Sequence, residues 1–291
     1  MILSNQLYIL CLPGNYVLRQ ERVLTISADE KRWSMEIKIF VAAHKQSDIP
    51  ADSLYCPIHV GAALHDRSLP YLTDDTGDNI SGKNRSFCEL TALYWAWKNA
   101  EADVIGLCHY RRYFCEEHSR RILTKETAER LLRKTDIILP KKRNYFIETN
   151  YSQYVHAHHE QDLVLTRAIL AERTVPGAPD YAAAFDRVMR KTAGHRFNML
   201  LMRRDVLDAY CTWLFDVLFT LEARLDTSRY SDYDARVFGF AAERLLDVWI
   251  EANGEKYTEL PFLFTEKQNW FKKGGAFLKR KFFPKEDGNH E

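Results

Sequence analysis

Four short, almost wholly apolar runs, each followed by a stretch of helical periodicity, constrain this chain more than any other feature. They are IKIFVAA at 37–43, DVIGLC at 103–108, DIILP at 136–140 and FNMLLM at 197–202. Runs this brief and this uniformly apolar suit strands covered on both faces. Helical spacing falls between and after them, over 86–99 (Leu90, Leu93, Tyr94, Trp97), 124–134, 158–171 and 178–191. It returns over 204–225, with Leu207, Tyr210, Leu214, Val217 and Leu221 on one stripe, and over 232–252. Repeated strand–helix–strand order predicts an α/β sheet with helices on both faces. A further strand is expected within 54–64, weakened by Pro57, and another at 260–264; 72–84 is turn-rich and reads as a loop.

The 291 residues, 46% hydrophobic, suffice for one large domain with its own core. We read an N-terminal extension at 1–34, a catalytic-type domain at 35–265 and a basic-aromatic tail at 266–291. A net charge of +1 favours no nucleic-acid partner. Six cysteines without a CxxC pair read as buried thiols in a reducing compartment, not as a zinc site. The apolar start lacks the basic flank and cleavage site of a secretory signal, and no apolar stretch is long enough to span a bilayer, so a cytoplasmic location is expected. The tail carries six Lys/Arg and no acid over 267–283, interleaved with Trp270, Phe271, Phe277, Phe282 and Phe283. Such a segment suits the anionic inner face of a membrane, or else a solvated end docked by its rings.

Polar clusters sit where strands should end. HYRRYF follows DVIGLC directly, and ligands of open α/β sheets bind beyond the carboxyl ends of strands. His109, Tyr110, Arg111 and Arg112 fit an anionic, sugar- or nucleotide-bearing ligand, because guanidinium forks grip phosphate oxygens and tyrosine stacks on rings. The plainer alternative packs the tyrosines and pairs the arginines with acids. In NISGKNRSFCEL, Lys83 and Arg85 supply charge, while Ser86 with Glu89 has capping-box spacing for the next helix. Neither a Walker loop nor a GxGxxG is present. YVHAHHEQDL brings together His156, His158 and His159 with Glu160 and Asp162; the spacing fits a carboxylate clamp better than a metal site. Gly194-His195-Arg196 lies before the fourth run, and Asp232, Asp234 and Arg236 precede a helix containing Gly239 and Glu243.

The ordered set NISGKNRSFCELTALYWAWKN, IGLCHYRRYF, DIILP, FNMLLMRRDVLDAYCTWLF and D-x-R-x-x-G-F-x-x-E-R-L-L resembles a bacterial family of capsular and exopolysaccharide biosynthesis glycosyltransferases. The resemblance runs from about Lys38 to Phe264, and more distantly extends to GT-A lipopolysaccharide galactosyltransferases and glycogenin. It implies a GT-A-like mixed, mostly parallel sheet flanked by helices. It implies transfer of a sugar, galactose by analogy, from a nucleotide-diphosphate donor such as UDP-galactose to a lipid-linked or oligosaccharide acceptor. On this reading Lys83, Asn84, Arg85, His109, Tyr110, Arg111, Arg112 and Asn198 bind the donor. His156, His158 and His159 meet the acceptor, and Asp162, Asp234 and Glu243 are the candidates for catalysis. Where the distant relatives carry a manganese-binding Asp-x-Asp this chain has His109-Tyr110-Arg111-Arg112, so no cofactor is expected. Mn2+ or Mg2+, with His109 as a ligand beside His156 or His158, is the alternative. The Ser-Gly of the relatives' Phe-Asn-Ser-Gly strand is also missing after Asn198. A non-catalytic nucleotide-sugar or glycan binding protein, and a nucleotide hydrolase or phosphotransferase, are the competing functions.

Overall fold

The computed structural model describes residues 2–12, 15–25, 35–65 and 69–266, in two compact units. The first, Met1–Glu36, contains an antiparallel pair, β1 (Ile2–Leu12) and β2 (Asn15–Thr25), in register from Ile2 opposite Thr25 to Leu12 opposite Asn15. The second, Ile37–Glu291, holds the α/β layers. The basic-aromatic segment at 267–283 lies outside the described residues.

The strands of the second unit are β3 (Ile37–Ala43), β4 (Tyr55–His59), β5 (Leu72–Thr73), β6 (Val104–His109), β7 (Arg112–Phe114), β8 (Ile137–Pro140), β9 (Arg143–Asn144), β10 (Ala193–Gly194), β11 (Leu200–Arg203), β12 (Thr258–Leu260) and β13 (Phe262–Phe264). Nine of them form one sheet in the order β12-β8-β11-β6-β3-β4-β5, with β7 pairing both β6 and β13. Along that path only β11 runs against its neighbours, antiparallel to both β6 and β8. The apolar runs are strands because both faces are covered: five of the six residues of β6 are buried, as is all of β8. Gly106 at the centre of β6 is required by close approach, since a Cβ there would lie 2.9 Å from Leu201 Cδ1 and 3.0 Å from Ile39 Cγ1. Pro57 is tolerated because β5 pairs with β4 only at Ile58 and His59.

The helices are α1 (Asn84–Phe87), α2 (Leu90–Asn99), α3 (Lys125–Leu132), α4 (Asn150–Val155), α5 (Glu160–Glu172), α6 (Tyr181–Arg190), α7 (Arg204–Arg224) and α8 (Val237–Asn253). The stripe read over 204–225 is the buried face of α7, where Leu214, Leu218 and Leu221 join Leu245 and Val248 of α8 in the main core. Burying each such side chain contributes about 1.5–3 kcal/mol. None of the helices among the described residues is long and apolar enough to cross a membrane.

One helix departs from expectation. The segment 86–99 is broken at Cys88, whose φ of 52° lies in the left-handed region. Ser86 caps nothing; its hydroxyl donates to the Lys83 carbonyl at 3.2 Å. The Glu89 carboxylate does not close a capping box but accepts from Asn198 Nδ2 at 2.9 Å. Gly239 of α8 faces this break, and a Cβ there would sit 3.3 Å from Cys88 Sγ. A long-range contact has displaced the local cap.

A cationic cleft at the strand ends

HYRRYF is a hairpin tip. β6 ends at His109, which pairs with Arg112 at the start of β7, so Tyr110 and Arg111 form the two-residue turn. The tip stands at the carboxyl ends of β3, β4 and β6, where a cleft of about 760 Å³ opens. His44 and Lys45 just beyond β3, His59 ending β4, His109, Arg111, Arg85 and Arg236 line it. A second cavity of about 280 Å³ adjoins it, bordered by Arg112, Arg143, Arg244, Glu243, Phe197 and Phe240 among others. Cys88, Glu89, His109, Arg111 and Arg236 border both and form the wall between them.

The reversed direction of β11 explains how the second cavity is reached. Its first residues, not its last, lie at the ligand end of the sheet. Phe197 and Asn198 turn the chain into β11 with φ of 75° and 51°. Asn198 holds that turn by donating to Glu89 and to the Gly239 carbonyl at 3.1 Å. The Phe197 backbone N–H donates to Glu243 Oε1 at 2.9 Å, and its ring supports the Arg112 guanidinium, 4.2 Å from the ring centre.

Cations outnumber acids along the cleft, with Glu266 at its edge: its carboxylate accepts from Lys45 Nζ at 3.1 Å and lies 3.9 Å from Arg111 Nη1. Burial, reinforced by Arg111 and Arg112, lowers the His109 pKa from 6.5 to about 2, so the imidazole is neutral at any ordinary pH. Its Nδ1 lies 3.2 Å from the Arg111 backbone N–H and accepts from it, which leaves the proton on Nε2. His44 is lowered likewise, by burial and then by Arg111 and Lys45. Glu89 is raised by burial, and burial pushes the Cys88 thiol up to about 11. Cys88 is therefore a neutral thiol, 3.2 Å from Arg236 Nε.

The residues singled out from the sequence divide. Asn84, Arg85, His109 and Arg111 border the first cavity; Arg112, His158 and Glu243 border the second. Tyr110 is buried beneath them, its hydroxyl 3.4 Å from His44 Nε2 and its ring under Lys45 and Arg111. Arg111 and Arg112 are consecutive, yet Arg111 borders both cavities and Arg112 only the second. Asn198 is buried and orders the wall instead of lining either cavity. Lys83 turns away, ion-paired with Glu222 of α7 at 2.7 Å. Asp162 is 1% exposed, and its two oxygens accept from Tyr154 Oη at 2.8 Å and Tyr230 Oη at 2.6 Å. Both of its oxygens are thereby committed to packed tyrosine hydroxyls.

His156 pairs with Glu148 at 2.7 Å, and His159 stacks on Tyr230. Asp234 accepts from Ser231 Oγ at 2.6 Å and lies 3.6 Å from His158 Nδ1. His195 and Arg196 are buried anchors: His195 Nδ1 bonds Asp247 at 2.5 Å, and Arg196 Nε donates to Tyr145 Oη at 2.9 Å. Sequence reasoning passed over His44, Lys45, Glu89 and Arg244 as site residues. The pair after β3 could have been found by applying to that strand the argument used for β6. Arg244 looks like an ordinary helical arginine until α8 is docked. The cysteines at 56, 88, 108, 115 and 211 are free thiols. Among the described residues no group of three or more His, Cys, Asp or Glu converges as a metal site.

Comparisons with known proteins follow this geometry. A model for a domain of unknown function, DUF4422, matches residues 38–254. Among solved structures, the chain is similar to the apo form of the bifunctional glycosyltransferase WbbM, with 32% identity and a TM-score of 0.72 over 80% of this chain. The match spans 46% of that enzyme's chain, less than half its length. No curated protein matches.

Proposed function

The chain belongs to the DUF4422 family, and we propose that this member is a glycosyltransferase moving a sugar from a nucleotide-diphosphate donor to a glycan acceptor. One observation carries the reading. Arg111, Arg236, Arg85 and Lys45 converge on one cleft at the carboxyl ends of parallel strands, in a fold similar to a known glycosyltransferase. A uridine diphosphate donor, galactose as the sugar, a lipid-linked acceptor and a role in capsular or exopolysaccharide synthesis extend the same reading by analogy.

In the step we envisage, the acceptor oxygen bonds to the sugar's anomeric carbon as the bond from that carbon to the diphosphate oxygen breaks. The diphosphate leaves with the electron pair. Arg111 and Arg236 offset its growing charge, and neutral His109 donates from Nε2. Glu243 is the favoured base for the acceptor proton, because it borders the second cavity, with its Oε2 3.2 Å from Arg244 Nη1. Asp234 is the lesser candidate, since it borders neither cavity. The groups at the end of β6 do not fit a divalent cation. Glu89 is the sole carboxylate on the shared wall and is bonded to Asn198, while two guanidiniums repel a second positive charge. No step is therefore routed through a metal.

The test is thermal shift and calorimetry with UDP and UDP-galactose, with added manganese or chelator. A ligand at 100 times its Kd stabilises by about 2.7 kcal/mol. Binding that survives chelator and falls about tenfold or more in Arg236→Ala supports the reading, as loss of a charge-assisted contact would do. No response to any nucleotide-sugar overturns it. Strict dependence on manganese overturns the cationic account of the leaving group alone. Tight binding with no transfer to any glycan would mean a binding protein.

A further inference from the structure

The second cavity holds more positive charge than the leaving diphosphate requires. Arg244 is 3% exposed, and its Nη1 and Nη2 are committed to the Phe240 carbonyl, Glu243 and Gln153. Its Nε is buried without a partner. Arg112 Nε is in the same state, with the guanidinium carbon 4.2 Å from the centre of the Phe197 ring. Among the described residues neither Arg112 nor Arg143 forms an ion pair. Of the two carboxylates bordering this cavity, Glu89 is bonded to Asn198 and Glu243 to the Phe197 backbone and Arg244. Buried guanidinium N–H groups left unpaired are costly, and a ligand anion is the partner that relieves them. The rings of Phe240 and Tyr233 flank the same space and offer an apolar face to a sugar.

We propose that the second cavity binds a glycosyl acceptor bearing an anionic group, a phosphate or a carboxylate, gripped by Arg112 and Arg244. This rests on the donor reading above, in which the diphosphate occupies the first cavity and the shared wall. The anion has two sources, a sugar phosphate such as ends a lipid-linked glycan, or a uronic acid within the glycan.

The experiment measures glucose, glucose 1-phosphate and glucuronate by ligand-observed NMR, in the presence of saturating UDP so that the first cavity is filled. The acidic sugars are expected to bind about tenfold or more tightly than glucose. Preference for glucose 1-phosphate assigns the phosphate source; preference for glucuronate assigns the uronic acid. Arg112→Gln and Arg244→Gln are expected to bring the ratio close to one in protein that still binds UDP. Should Arg244→Gln fail to fold, Arg112→Gln alone decides. Equal binding of acidic and neutral sugars overturns the proposal and leaves the donor reading standing. Loss of glucose 1-phosphate binding when UDP is added also overturns it, because the cavity then belongs to the diphosphate. If UDP does not bind at all, the donor reading fails, and the same comparison in the free protein decides this inference separately.

Discussion

Replacing His109 with Gln removes a titratable group without removing a side-chain hydrogen-bonding capacity. In the folded protein His109 stays neutral, its pKa lowered to about 2 by burial and by Arg111 and Arg112. In the unfolded chain it titrates near 6.5. The sign follows from proton counting. Below 6.5 the unfolded state takes up a proton that the folded state refuses, so stability falls as pH falls. The cost approaches about 1.4 kcal/mol per pH unit once the unfolded imidazole is mostly protonated, so acidification from about pH 6.5 to 4.5 costs about 2.3 kcal/mol through this residue alone. The result hardly depends on the folded value, provided it lies well below 4.5. Urea unfolding of the parent and of His109→Gln at matched pH steps is the assay. Comparing slopes cancels every other titrating group, including His44, which carries the same sign. The parent should lose about 2–3 kcal/mol more than the variant across the window. If the two lose stability in parallel, His109 titrates normally, and the account of an imidazole buried beside Arg111 and Arg112 is wrong.

Three other substitutions have defined expected outcomes. Gly106→Ala should destabilise by about 1–3 kcal/mol in urea unfolding, because the new methyl meets Leu201, Ile39 and the Leu200 backbone at the middle of the sheet; an unchanged midpoint would contradict the packing of β6 against β11. Glu243→Gln should lower turnover much more than it lowers UDP affinity, whereas Asp162→Asn should reduce stability by about 1–3 kcal/mol and leave UDP affinity unchanged, since its oxygens serve Tyr154 and Tyr230.

The elements legible in the sequence were those whose signal is local. IKIFVAA is β3 residue for residue, DIILP contains β8, and the stripe over 204–225 is α7 to within a residue, because uniform burial or a single buried face writes itself into composition. The helix break at Cys88 was not legible. It is fixed by Asn198 and Gly239, each more than a hundred residues away, while the local Ser86/Glu89 spacing argued for a cap. Asp162 misled for a similar reason: an acid near three histidines reads as chemistry until Tyr154 and Tyr230 are seen to enclose it. The position of HYRRYF after an apolar strand was legible, but which cavity each of its side chains borders was not. Of two consecutive arginines in the hairpin, Arg111 borders both cavities and Arg112 only the second, and no one-dimensional pattern reports which.

The upstream strand running against its neighbours has a practical consequence for how such a cleft can be altered. Most strands offer the ligand their trailing loops, which also lead into the helices that brace the sheet, so a change in one risks the other. β11 offers its leading turn, while its far end passes straight into α7 on the opposite edge. Within 194–198, His195, Arg196 and Asn198 are committed to buried bonds and Gly194 has no room for a Cβ, so the Phe197 side chain is the one to exchange for reshaping the second cavity with α7 untouched. Substitutions confined to position 197 are the most economical starting point for changing the shape of that cavity.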